Sequence, residues 1–191
     1  MARLRVGLLG GSFNPAHDGH RHISLEALKR LRLDQVWWLV APQNPLKPGA
    51  GMAALEKRLA RARKAARHPR IRVSDLEARL GTRYTVDTLA CLTRRYPEVH
   101  FVWLMGADNL LQFPAWRRWT SIARAIPIAI FDRPTYAYRA LAGQAARRFA
   151  RYRVMDPAAL PGRKPPAWCL VRGPTHPASA TAVRERGAWP P

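Results

Sequence analysis

The sequence predicts one α/β domain built on a single doubly wound parallel sheet with helices on both faces. Three observations predict it. Short apolar runs that read as buried strands alternate with longer segments of helical period. Glycine and proline clusters punctuate the joins. The length, 191 residues, suffices for one domain with a substantial core and is too short for two large ones, so residues 1–191 are read as a single domain.

The first run, Leu4 to Leu9, holds Leu4, Val6, Leu8 and Leu9 without proline and suits a short buried strand. A turn, Gly10-Gly11-Ser12-Phe13-Asn14-Pro15-Ala16-His17-Asp18-Gly19-His20, leads into helical spacing at Ile23, Ala27, Leu28 and Leu31 that runs on to Leu33. Gln35 to Ala41 is a second strand, expected to be buried on both faces. Strand, helix and strand make a βαβ unit, which implies parallel pairing and a right-handed crossover. The next loop is stiffened by Pro42, Pro45 and Pro48 and carries Lys47. Ala53 to Arg67 reads as helix and Ile71 to Val73 as a short strand. Helical period begins again near Thr85, a candidate N-cap, and continues to Arg95. His100 to Met105 and Ile126 to Phe131 are strands, with Pro127 near a strand start where a missing donor is tolerated. Between them Asp108 is placed to cap a helix, and Trp119 reads as core. Tyr136 to Arg153 is basic and partly helical, Pro157 to Pro166 a loop, and Ala167 to Val171 the last strand.

Composition narrows the function. No uninterrupted apolar stretch reaches membrane-spanning length, and the N-terminus lacks a cleavage-like small-residue site, so a cytoplasmic protein is expected. Cys91 and Cys169 have no metal or redox spacing and are expected to be buried, reduced thiols. The 33 Lys and Arg against 12 Asp and Glu give a net charge of +21, which attracts phosphates and nucleic acids alike. These cations are scattered along the chain, so nucleic acid is not the expected primary partner.

The turn at Gly10 to His20 is where chemistry is expected. Paired glycines let a ligand approach the backbone, and the N–H groups at a helix start attract anions. The turn lacks both the Gly-Lys-Ser/Thr ending of a P-loop and the G-x-G-x-x-G spacing of a dinucleotide fold. His17 and His20, three apart, can face one ligand from a helix entry. Read from spacing alone, the pair is a phosphate contact, a surface or capping feature, or, with His22, a metal site.

The run G-G-S-F-N-P-A-H-D-G-H resembles the G-x-F-D-P-x-H-x-G-H signature of the nucleotidylyltransferase superfamily, with Asn14 where Asp is commoner. The whole chain resembles the bacterial nicotinate-nucleotide adenylyltransferases. Thr82 to Leu89 is similar to their S/T-x-Y-T-x-x-T-L segment, Gly106-Ala107-Asp108 to their G-A-D, and Ser179 to Arg184 to their I-S-S-T-x-x-R, with Ala180 replacing the second serine. The resemblance implies a Rossmann-like nucleotidylyltransferase fold. It also implies adenylyl transfer from ATP, accompanied by Mg²⁺, to nicotinate mononucleotide. It implies ATP contacts from Gly10, Gly11, Ser12, Phe13, His17, His20, Asp108, Ser179, Thr181 and Arg184. His17, His20, Lys47 and Arg184 would carry the catalytic charge stabilisation. Tyr84, Thr85 and Trp116 would border the acceptor. Asp18 and Asp108 are the nearest acidic side chains for the metal, with no spacing that selects either. Two alternatives are a sister adenylyltransferase acting on phosphopantetheine, against which the Thr82 to Leu89 stretch and Trp116 argue, and a non-catalytic nucleotide- or RNA-binding module.

Overall fold

A computed structural model of the chain describes residues 3–42, 51–133, 136–174, 176, 178, 180–185, 187 and 189. Six strands, β1 (Arg5–Gly11), β2 (Gln35–Val40), β3 (Ile71–Ser74), β4 (His100–Gly106), β5 (Ile128–Phe131) and β6 (Trp168–Val171), form one sheet in the order β3-β2-β1-β4-β5-β6. All five pairings are parallel. That order reverses between β1 and β4, which opens a crevice at their carboxyl ends, the usual ligand position in such sheets.

Alternation along each strand builds two cores. Val6 and Leu8 of β1, Phe101, Trp103 and Met105 of β4, and Ile128 and Ile130 of β5 face one layer. Leu9, Val36, Trp38, Val40, Val102, Leu104 and Phe131 face the other. The second layer is covered by α1 (Asp18–Arg30) and α2 (Leu55–Ala66). The first is covered largely by α4 (Thr85–Arg95), α5 (Ala107–Gln112), α6 (Trp119–Ala125), α7 (Ala137–Leu141) and α8 (Gln144–Arg148), while α3 (Leu76–Arg79) and α9 (Ala180–Glu185) are further short helices.

Several expectations are corrected. The first helix ends at Arg30 rather than running through Leu33. Arg32 turns left-handed (φ 51°) and lets Leu33 drop into the core. The second strand is not buried throughout, since Gln35 and Trp37 are half-exposed. Pro157–Gly162, expected as loop, is a 3₁₀ turn begun by Asp156, whose side chain accepts from Ala158 N at 2.9 Å. Tyr84, not Thr85, is the N-cap of α4, and Thr85 is the first helical residue. Gly106, not Asp108, is the N-cap of α5. Trp119 is half-buried, packing edge-on against Phe113 and Phe149. Both cysteines are free. Cys169 is buried, which pushes its thiol up to about 12, whereas Cys91 is only half-buried. Among the described residues no helix is long and apolar enough to cross a membrane.

Candidate active site

Near the end of β1, at Gly10, the chain has no room for a side chain. A Cβ on Gly10 would lie 2.5 Å from the Trp103 ring. The chain then reverses at Phe13 (φ 47°), a conformation that costs a non-glycine residue energy and persists where the surroundings enforce it. Here the enforcement is packing: the Phe13 ring stacks on Trp38 at 5.1 Å and meets His20 at 4.6 Å. Trp38 is anchored in turn, its Nε1 donating to Ser24 Oγ at 2.7 Å, which donates to His20 O at 2.8 Å.

His17 is the N-cap of α1. Its Nδ1 accepts from Gly19 N at 3.1 Å, while His20 Nδ1 accepts from His17 N at 3.2 Å. Two imidazoles thus form a reciprocal cap of the kind usually made by a hydroxyl and a carboxylate. An imidazole that accepts at Nδ1 carries its proton at Nε2 when neutral, so both rings are fixed as Nε2 donors. The ring centroids are 3.9 Å apart. Burial pushes the His17 pKa down to about 4, helped by the positive charge of Arg133 and His176 and opposed by Asp18. His17 is therefore a neutral donor at pH 7. Gly19 preserves this arrangement, because a Cβ there would sit 2.8 Å from the His17 ring.

Two further clasps hold the turn. Arg58 of α2, only 1% exposed, donates Nη1 to Ser12 O (2.7 Å) and Ala41 O (2.6 Å), Nη2 to Pro42 O (2.8 Å) and Nε to Ala53 O (2.8 Å). Asn14 donates Nδ2 to Gly51 O (2.9 Å), and its Oδ1 accepts from Ala53 N (3.2 Å) and Trp189 Nε1 (2.9 Å). The donation to Gly51 needs an amide, which gives a reason for Asn at a position where Asp is commoner. Asn14 O also accepts from Arg184 Nη1 at 2.6 Å, so α9 folds back onto the turn, with Arg184 Nη2 3.3 Å from Thr181 Oγ1.

Across the crevice, Asp108 stands in the first turn of α5 with Arg133 Nε 3.3 Å from its buried Oδ1, which accepts no hydrogen bond and is compensated by this ion pair. Trp116 is half-buried, edge-on to Trp103 at 6.1 Å and to Phe113 at 5.5 Å. The Arg117 guanidinium lies 4.6 Å over the Tyr84 ring. Of the residues singled out from sequence, Gly10, Gly11, Ser12, Phe13, His17 and His20 share the β1 turn, Thr181 and Arg184 lie against it, and Asp108 follows the neighbouring strand β4. Tyr84, Thr85 and Trp116 belong to the helical layer on the Trp103 face. Lys47 and Ser179 lie outside the described residues. Sequence reading missed Arg58, Arg133 and His176.

The described residues contain no group of three or more His, Cys, Asp or Glu able to hold a metal, so the histidine trio is not a metal site. His22 instead donates Nε2 to Pro174 O at 2.7 Å, and the Nδ1 atoms of His17 and His20 are spent on backbone. Asp18 is exposed and Asp108 is neutralised by Arg133. This donor set suits a divalent cation that arrives on a polyphosphate rather than one held by the protein, since Mg²⁺ keeps waters and takes few carboxylates.

A doubly wound sheet with two imidazole donors and the Arg184 guanidinium against the turn at its switch point defines a class, the nucleotidyl-transferring α/β domains, and the chain belongs to the cytidylyltransferase-like family, whose model matches residues 8–186. It is 57% identical, over 97% of this chain and 94% of that protein, to the probable nicotinate-nucleotide adenylyltransferase of Parvibaculum lavamentivorans. It is 58% identical to the protein of the same name from Cereibacter sphaeroides, over 96% of this chain and 98% of that one. Within the family the chain therefore falls among the nicotinate-nucleotide adenylyltransferases. The fold also matches that of the Plasmodium falciparum nicotinic acid mononucleotide adenylyltransferase complexed with NaAD, with a TM-score of 0.72, 15% identity, and coverage of 95% of this chain and 83% of that one.

Proposed function

We propose that the protein transfers the adenylyl group of ATP to the phosphate of nicotinate mononucleotide, giving nicotinate adenine dinucleotide and pyrophosphate. The observation that carries this reading is the pair of Nε2-donor imidazoles at the sheet's switch point, in a chain 57% identical over almost its whole length to a probable nicotinate-nucleotide adenylyltransferase.

A phosphate monoester has a second pKa near ~6, so at pH 7 the acceptor oxygen is largely deprotonated and needs no general base. It attacks the α-phosphorus, the bond from that phosphorus to the bridging oxygen breaks, and pyrophosphate leaves with the electron pair. The difficulty is bringing anions together and stabilising charge that grows on the α-phosphate and the leaving group, which makes positioning and electrostatics the main source of rate. In our assignment His17 and His20 donate Nε2–H to the α- and β-phosphates, with further N–H groups from Gly11, Ser12 and Phe13. A neutral His17 is suited to this, because it donates from Nε2 while its Nδ1 stays unprotonated as the acceptor for Gly19 N. Lys47 and Arg184 hold the β- and γ-phosphates, with Ser179 and Thr181 beside Arg184. Asp108 meets the ribose. Tyr84, Thr85 and Trp116 receive the acceptor. A Mg²⁺ ion held largely by the triphosphate, with Asp18 and Asp108 the nearest protein carboxylates, would supply charge neutralisation there. On this reading the chain works in the cytoplasm with its two nucleotide substrates.

The test is pyrophosphate release with MgATP and a panel of acceptors. Turnover is expected with nicotinate mononucleotide, less with the nicotinamide analogue, and none with phosphopantetheine. Turnover with phosphopantetheine alone would move the assignment to the sister reaction. Absence of transfer to any acceptor, with submicromolar RNA binding at ~150 mM salt, would make the site a binding module.

A further inference from the structure

The α2 helix carries three arginines, Arg58, Arg61 and Arg63, of which Arg58 is buried and the other two are exposed. Long charged side chains are rarely buried without a hydrogen-bonded counter-charge, and among the described residues the Arg58 hydrogen bonds reach no carboxylate, Glu56 acting on it only through its field. Its partners are four main-chain oxygens from three places: the turn after β1, the exit of β2, and Ala53, two residues before α2. A guanidinium is the one side chain whose planar fork can serve that many acceptors at once.

The geometry has a directional consequence. Peptide groups are planar and trans, so a carbonyl drawn toward Arg58 turns the N–H of the same peptide away from it. Pinning Ser12 O therefore fixes the direction of the Phe13 N–H at the left-handed residue of the turn. Pinning Ala41 O and Pro42 O ties that turn to the end of β2.

We propose that Arg58 is a positioning residue for the triphosphate, clamping the turn after β1 to the end of β2 so that the Phe13 N–H keeps one direction at the phosphate pocket. Arg58 acts through the backbone of Ser12, Ala41 and Pro42 rather than by touching substrate. The inference rests on the adenylyl-transfer reading for which substrate is affected, but the clamp is read out by ATP binding alone.

Two variants test it. Arg58→Met keeps most of the volume and removes charge and fork, while Arg58→Lys keeps the charge and loses the fork. Circular dichroism establishes folding, calorimetry gives the MgATP Kd, and steady-state kinetics separates the two KM values. In folded Arg58→Met, MgATP affinity is expected to fall about tenfold to a hundredfold, the scale of losing charged hydrogen bonds. The KM for nicotinate mononucleotide should stay within about threefold, because uniform loss would mean general damage. Arg58→Lys should recover part of the ATP affinity. The loss should be the same at low and high salt, since buried interactions are weakly screened. Unchanged MgATP affinity in a folded variant, equal losses for both substrates, or failure of both variants to fold would overturn the proposal and leave Arg58 a stability residue. If the wild-type protein transferred to no acceptor but Arg58→Met still lost MgATP binding, the reaction assignment would fail and the clamp would stand.

Discussion

Glu77→Gln is expected to stabilise the protein, and increasingly so as pH rises from 4.5 to 7. Glu77 is buried beneath the segment that leads into α4. Thr88 Oγ1 donates toward its Oε1 at 3.3 Å and lies 2.8 Å from Thr82 Oγ1, while Thr82 N donates to Glu77 O at 3.0 Å. Burial raises its pKa from 4.5 to about 7, with the Thr88 bond pulling weakly the other way. Because the folded value lies above the unfolded one, the folded state binds more protons between pH 4.5 and 7. The carboxyl's contribution is complete below 4.5 and is lost as pH rises to 7. The gap of about 2.5 units, at 1.36 kcal/mol per unit, is about 3 kcal/mol. Glutamine has the same shape, accepts from Thr88 and never ionises. The gain on Glu77→Gln should be under about 1 kcal/mol at pH 5 and about 3 kcal/mol at pH 8, raising Tm there by roughly 6–12 °C. Urea unfolding at the two pH values measures it. His17 has the opposite slope: its pKa is lowered to about 4, so its contribution is complete above 6.5 and lost as pH falls to 4. The wild-type profile should therefore be nearly flat between pH 4.5 and 6.5, and Glu77→Gln should uncover a stability that climbs with pH. An equal effect of the substitution at pH 5 and pH 8 would refute the reasoning.

His20→Ala should lower kcat by roughly 10²–10³, the loss typical of one charge-stabilising donor, with smaller changes in KM; near-normal turnover in a folded variant would reduce the histidine pair to a helix cap. Trp116→Ala should raise KM for nicotinate mononucleotide several-fold to about tenfold while leaving KM for ATP nearly unchanged, as removal of a stacking aromatic would. Because Trp116 is half-buried against Trp103 and Phe113, calorimetric melting must accompany the kinetics. A loss of about 3–5 kcal/mol with equal damage to both substrates would make it core.

The strands were legible because most are short apolar runs, the four inner ones with a parallel neighbour on each side, and the βαβ spacing left few topologies. The glycine turn was legible because close packing leaves no alternative to glycine at Gly10, where the Trp103 ring occupies the space of a side chain. Helix starts were read less well. The apolar period of α1 begins at Ile23, but the helix begins at Asp18, since its first turn is set by hydrogen bonds between imidazoles and backbone rather than by hydrophobic spacing. Arg133 and His176 were invisible because their effect on His17 is spatial, across distant parts of the chain.

Arg58 was different, because the signal was present. Leu55, Arg58, Leu59 and Ala62 fall at i, i+3, i+4 and i+7, so this arginine occupies an apolar-face position of an otherwise amphipathic helix. Among so many arginines it did not stand out by composition, only by phase. The histidine pair carries a related lesson about alternatives drawn from sequence. Capping and phosphate contact compete as readings of His17 only if the ring has one nitrogen to give. It has two: Nδ1 accepts from Gly19 and thereby fixes the proton on Nε2, which is the tautomer that the proposed phosphate donor requires. The helix cap is thus what sets the chemistry of the site, and a substitution that kept the Nε2 donor but lost the Nδ1 acceptor would be expected to fail at both.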